Sequence, residues 1–305
     1  MSVGSGWTVE EALAAFDDHL RKVRGVCNGT RVNYARFVRA FLAERFPDGR
    51  VEVGELDAHD VVECISAATR RYRPRTVELV ATSLRSFFRF LRGEGLGREG
   101  LEDAVPMVPH RRSGLVRHLD AGSLEQLLVS LDTSSARGLR DRSIILCIAR
   151  LGLRAGEVCR LRLEDIDWRE GVIRLRVRKT GRGALLPLTA EVGTGLADYL
   201  QHGRPDTPAR EVFVLLSQRI GAPISDSIVW RAVDRTLTRA GIDAPSRGGN
   251  LLRHSLATGL LARGVGLGEI ADLLGHGRLA TTRIYAAVDI KALRQVALPW
   301  PGATS

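Results

Sequence analysis

Between residues 8 and 92 apolar side chains recur four times at the spacing of one helical face. Thr8 is placed to cap the first predicted helix, whose stripe is Val9, Leu13, Phe16 and Leu20. The second is predicted over 30–46, with Tyr34, Phe37, Val38, Phe41 and Leu42 on one side. Asp57 caps a third that runs to Ala68. The fourth, over 76–91, follows Pro74 and turns Leu79, Val80, Leu84, Phe87, Phe88 and Leu91 inward. From Gly93 to Arg117 the periodicity stops. Gly93, Gly95, Gly97, Gly100, Pro106 and Pro109, with the basic run His110-Arg111-Arg112, read as a linker.

Patterning resumes at Asp120, which caps a helix predicted to end near Leu131. Residues 140–151 form a strongly apolar helix fit for the centre of a core, and Gly152 ends it. Arg154 then opens a short helix that carries Glu157. Residues 172–178 alternate with period two, as a strand does, and 184–188 supply the return strand. Lys179 falls at the tip of that hairpin. Helices are predicted over 189–202 and 225–240, with a short strand near Val212–Leu215 between them. Two more helices carry Arg253 and Ile270. Beyond Tyr285, Ile290, Leu293, Val296 and Leu298 have the spacing of a docking helix, ahead of Pro299-Trp300-Pro301. This tail either folds back on its own domain or packs on a neighbour. The expected fold is mainly α with a small β-sheet: a helical domain over 1–92, a linker over 93–117, and an α+β domain with a C-terminal tail over 118–305.

Charge sharpens this picture. The 305 residues include 45 basic and 35 acidic side chains, a net +10 that favours a polyanionic partner. The N-terminal helices carry arginines on their polar faces: Arg31, Arg36 and Arg39, then Arg70, Arg71, Arg73 and Arg75, then Arg85, Arg89 and Arg92. Several helices doing this in one small domain point to a surface that grips phosphates. Lysine is rare, found only at Lys22, Lys179 and Lys291. A lysine is therefore informative in this chain. The four cysteines contain no C-x-x-C pair and read as free thiols of a reducing compartment. Neither a signal peptide nor a membrane span is visible, so a cytoplasmic, nucleoid-associated protein is expected.

The chemistry concentrates in NLLRHSLATGLLARGVGLGEIADLLGHGRLATTRIY, residues 250–285, where Arg253, His276 and Tyr285 interrupt apolar helical patterning. Together with LGLRAGEV around Arg154 and Lys179 in its hairpin, these pieces resemble, in order and spacing, the tyrosine recombinase (phage integrase) family across essentially the whole chain. The resemblance implies a SAM-like, four-helix core-binding domain followed by a tyrosine-recombinase catalytic domain. It also implies site-specific recombination of double-stranded DNA by a homo-tetramer through a 3′-phosphotyrosyl intermediate, the activity of integrases and of transposition enzymes.

The resemblance implies the following roles, and the residue types suit that chemistry. Tyr285 is the nucleophile, and a covalent link to the strand stores the bond for religation without ATP. Arg154 and Arg253 clamp the phosphate bidentately and stabilise its developing charge. Lys179 protonates the leaving 5′-oxygen, a task arginine performs badly. His276 donates to a phosphate oxygen. Glu157 either orients the site or is a solvated surface acid. No step calls for a metal or cofactor: Glu164, Asp165 and Asp167 are close in sequence, but their neighbouring side chains diverge. One position departs from the family pattern. Asn250 stands where histidine is usual, and asparagine can hydrogen-bond a phosphate but cannot titrate near neutrality. It is either a phosphate contact or, with Gly249, a helix cap. His254 is a poor substitute base, since one helical step turns it about 100° from Arg253. The rival reading is a DNA-binding protein of the same fold whose catalysis is weakened or lost.

Overall fold

The computed structural model describes residues 5–107, 117–175 and 183–275. It divides into two compact units, Met1–Ser113 and Gly114–Ser305.

In the first unit, Thr8 closes a capping box on helix α1 (Val9–Lys22): its side chain accepts from the Glu11 N–H while the Glu11 carboxylate accepts from the Thr8 N–H. Helix α2 spans Asn28–Arg45 and α3 spans Ala58–Arg71, the latter capped by Asp57 as its sequence predicts. Helix α4 (Pro74–Gly93) starts with Pro74 in its first turn, where a missing N–H costs nothing. Its apolar stripe is the keel of the core. Phe87 meets Phe16 of α1 edge-on at 5.3 Å, and Phe88 meets Phe41 of α2 at 5.8 Å and 89°.

Two features lie outside the sequence expectation. Strand β1 (Ser5–Thr8) pairs antiparallel with β2 (Arg50–Glu52), a ladder too short to leave a period in the sequence. The stretch expected to be linker contains a short helix, α5 (Leu101–Ala104), and Leu101 and Val105 are buried in this unit's core. Two arginines of α4 hold it there. Arg85 donates to the Val105 carbonyl at 3.0 Å, and Arg92 pairs with the buried Glu102.

The second unit is built around α7 (Ala136–Leu151), in which Ile144 through Ala149 are all buried. Helix α6 (Ala121–Val129), capped by Asp120, precedes it, and α9 (Ala190–His202), α10 (Asp226–Arg239) and α11 (Gly249–Ala262) pack around it. Helices α8 (Ala155–Cys159) and α12 (Leu267–Leu274) are short. Strands β3 (Ile166–Asp167), β4 (Val172–Leu175) and β5 (Ala184–Pro187) form an antiparallel sheet in that order. Ile166, Ile173 and Leu186 share its inner face through the pairs Ile166↔Ile173 and Ile173↔Leu186.

The segment Val212–Leu215 is not a strand. Val212, Phe213 and Val214 are fully buried, but their backbone is satisfied piecemeal: Val212 N donates to Leu161 O, and Val214 N to the Tyr199 hydroxyl. An isolated bridge, Val214↔Pro223, and main-chain bonds from Leu215 N to Ala222 O and from Ile224 N to Phe213 O tie the segment to the chain that follows it. None of the four cysteines forms a disulfide. Burial pushes the Cys147 and Cys159 thiols up to about 12 and Cys64 up to about 11, so these three are packing groups rather than nucleophiles.

Candidate active site

Two helix ends and two arginines define the site. Helix α7 stops at Gly152, whose left-handed conformation (φ 66°) turns the chain so that Arg154 opens α8. That turn admits no side chain: a Cβ on Gly152 would lie 2.7 Å from Leu274 Cδ2 and 3.2 Å from Leu256 Cδ2. Helix α12 also stops at a left-handed glycine, Gly275 (φ 60°).

Arg154 is the N-cap residue of α8, and its guanidinium folds back along the helix. Nη1 donates to Glu157 Oε1 at 2.8 Å, while the main-chain N–H of Arg154 donates to Glu157 Oε2 at 2.9 Å. The Glu157 side chain is only 4% exposed, so it is a clamp on Arg154 and not a solvated acid. The free edge of the same guanidinium donates from Nη2 to the Gly275 carbonyl at 3.0 Å.

Arg253 comes from the first turns of α11 and is 4% exposed. Its Nη1 donates to the carbonyl of Gly152 and its Nη2 to that of Leu274. The last carbonyls of a helix have no partner within it and carry the negative end of its dipole. Cations therefore belong there. The two guanidiniums, distant in sequence, are thus brought together at the last turn of α12, held by main-chain oxygens of two different helices.

Asn250 lies three residues before Arg253 on α11, a spacing that shares a helix face. It is exposed, and it is not the cap: the N-cap residue is Gly248, which places Asn250 second in the helix. His254 is half-buried, and its pKa is lowered by burial first, then by the charges of Arg253 and His118. Both causes favour its neutral form. Lys179, His276 and Tyr285 lie outside the described residues, although His276 follows Gly275 directly in the chain.

The acidic triplet has structural work: the Asp165 carboxylate accepts from the Arg162 N–H, Asp167 pairs with Arg174, and Glu164 pairs with Arg210. Among the described residues no group of three His, Cys, Asp or Glu side chains could hold a metal ion, and no helix is long and apolar enough to cross a membrane.

The N-terminal arginines divide into two classes. Arg31 pairs with Asp17 and Arg39 with Glu10, both at 2.8 Å, while Arg85 and Arg92 hold α5. Arg36, Arg70, Arg71, Arg73, Arg75 and Arg89 are exposed, four of them at the junction of α3 and α4. Sequence reasoning missed the acceptors Gly152, Leu274 and Gly275. Their main-chain oxygens carry no residue letter, and the only trace was a glycine after each apolar helix.

Residues 117–291 match the model of the phage integrase family, and residues 13–95 match its N-terminal SAM-like domain. The y4rA protein of Sinorhizobium fredii is 42% identical over 295 residues, covering 96% of this chain and 72% of that one. The tyrosine recombinase XerD of Mycobacterium tuberculosis is 32% identical over 313 residues, covering 97% of this chain and 98% of that one. Among solved structures, the fold is shared with the XerH site-specific recombinase bound to palindromic difH substrate. That match has a TM-score of 0.70 and 21% identity, covering 93% of this chain and 83% of that one. The chain belongs to the phage integrase family of tyrosine recombinases.

Proposed function

We propose that this recombinase breaks and rejoins duplex DNA at specific sites through a phosphotyrosyl bond formed by Tyr285. The observation that carries the reading is the meeting of Arg154 and Arg253 at the end of α12, immediately before His276. In the forward step the Tyr285 oxygen attacks phosphorus and the bond to the 5′-oxygen breaks. Lys179 supplies the proton that the departing oxygen takes up. Arg154 and Arg253 hold the non-bridging oxygens, with His276 and Asn250 as further donors. The reverse step uses a 5′-hydroxyl of the partner strand, so the energy of the broken bond is conserved. The solved XerH is bound to its difH substrate and a lambda integrase dimer to a COC′ core site, which supports duplex DNA as the partner.

Residues 1–92 act as the core-type DNA-holding domain and residues 118–305 as the catalytic domain. The exposed arginines at the junction of α3 and α4 supply phosphate contacts in the first. The working assembly is a homo-tetramer on paired sites, with the C-terminal tail docked on a neighbouring protomer. The test is a nicked suicide duplex built on the protein's own recombination site. The unaltered protein is expected to give a covalent adduct that survives denaturing electrophoresis. Tyr285→Phe is expected to give none while binding the duplex with unchanged affinity. An adduct that persists in that variant assigns the nucleophile elsewhere.

A second reading, a DNA-binding protein with weakened catalysis, is favoured by one observation: Asn250 is exposed on the face of Arg253, where it can accept no proton from the tyrosine. Asn250→His is expected to speed single-turnover cleavage about tenfold, a modest share of what a general acid–base group supplies. Equal rates for the two proteins would remove Asn250 as the limiting feature.

A further inference from the structure

The site holds its arginines in an uncommon way. Arg253 is almost wholly buried, and both of its terminal nitrogens donate to main-chain carbonyls. Arg154 spends one terminal nitrogen on Glu157 and the other on Gly275 O. Three of these four bonds end on the C-terminal turns of α7 and α12, at Gly152, Leu274 and Gly275. Two of the three acceptor residues are left-handed glycines. A carbonyl at such a cap is aimed by the backbone angles of the glycine itself. Any L-residue other than asparagine or aspartate resists those angles.

We propose that Gly152 and Gly275 are positioning residues of the arginine pair, and that phosphate loading and seating of the last turn of α12 are thermodynamically coupled. The inference rests on the reading of Arg154 and Arg253 as phosphate ligands. A guanidinium offers five N–H groups in a fixed fork, so bonds made to carbonyls fix the plane of the group and the edge it turns to a phosphate. A seated α12 turn presents that edge correctly. Reciprocally, a phosphate bound to the arginines holds them against Leu274 O and Gly275 O and so holds the turn. Coupling of this kind is symmetric for binding free energies.

Both glycines take left-handed angles. At Gly152 the left-handed angle coincides with a side-chain clash against Leu274, the residue whose carbonyl Arg253 also grips. A shift there moves both of its acceptors together. At Gly275 the left-handed angle (φ 60°) is itself a demand, which asparagine meets better than alanine does.

Inorganic sulfate, as a stand-in for the scissile phosphate, provides the first measurement. Amide hydrogen exchange of residues 267–275 is followed with and without it in the full chain. Sulfate is expected to slow exchange of the last turn of α12 about tenfold, within the usual range of coupling between sites. Protection is expected to disappear in Gly275→Ala, to return in Gly275→Asn, and to be absent in Arg154→Gln, where Gly275 is intact but its donor is gone. Single-turnover adduct formation should follow the same order, with affinity for duplex DNA unchanged in the two Gly275 variants. Equal protection in all four proteins, or none in the unaltered one, overturns the coupling. Should Gly275→Ala fail to fold, exchange of the unaltered chain with and without sulfate, beside Gly275→Asn, decides it. Protection by sulfate without any adduct would instead sink the strand-transfer reading and leave the coupling standing.

Discussion

Alanine at position 253 is expected to lower strand cleavage by about two to three orders of magnitude, the cost typical of removing a donor that stabilises developing charge. Unlike Tyr285→Phe, it should also weaken the fold. Arg253 is buried and bridges the ends of α7 and α12. Its loss leaves two carbonyls, Gly152 O and Leu274 O, without their donor, and each buried unmet acceptor costs about 1–3 kcal/mol. A loss of about 3 kcal/mol in urea unfolding is therefore expected to accompany the kinetic defect. Arg253→Lys should fall between. It keeps the charge, but a single ammonium cannot span two carbonyls and a phosphate as a planar fork does. The measurements are single-turnover cleavage and equilibrium unfolding on the same preparations. Full stability in Arg253→Ala would mean that the carbonyl contacts contribute nothing to the fold, and the account of the site as a joint between two helix ends would fail.

That dual role explains why part of the site was legible in the sequence and part was not. The reactive types are legible because chemistry restricts them: a planar cation, a lysine where arginine is the rule, a tyrosine near a histidine. The helices were legible because Thr8, Asp57 and Asp120 cap them and their stripes fall at helical spacing. Groups outside the side-chain alphabet were not. The acceptors that aim both arginines are main-chain oxygens, and Glu157 looked equally suited to solvent until its carboxylate was found closed around Arg154.

Long-range pairing hid other features. Arg39 reads as a phosphate contact until Glu10, in a different helix, is seen to accept from it. Likewise Leu101 and Val105, isolated among glycines and prolines, carry no period, yet they anchor the start of the presumed linker. Val212–Leu215 has the apolar content of a strand but divides its main-chain bonds among Leu161, the Tyr199 hydroxyl, Ala222 and Ile224 instead of forming a continuous ladder.

The largest purely structural effect is expected at Asp141, far from the chemistry. This residue is 7% exposed on α7, and its two carboxylate oxygens serve different arginines. Oδ1 accepts from Nε and Nη2 of Arg140 at 3.3 and 3.2 Å, and Oδ2 accepts from both Nε and Nη2 of Arg235. Arg140 is itself 4% exposed, and its other acceptor is the Val214 carbonyl at 3.3 Å. Removing the carboxylate strands a cation in the core, and breaking such a buried pair from one side costs about 3–5 kcal/mol. Asp141→Ala is therefore expected to lose that much stability in urea unfolding. Arg235→Ala should lose about 1 kcal/mol or less, because the Arg235 side chain is 40% exposed and Asp141 keeps its bond to Arg140. Asp141 is also separated from Gly152 by about 16 Å of helix, at 1.5 Å per residue. The cleavage rate per folded molecule should therefore not change in either variant. Equal losses from the two substitutions would show that the exposed pair, and not the buried charge on Arg140, sets the energetics of this network.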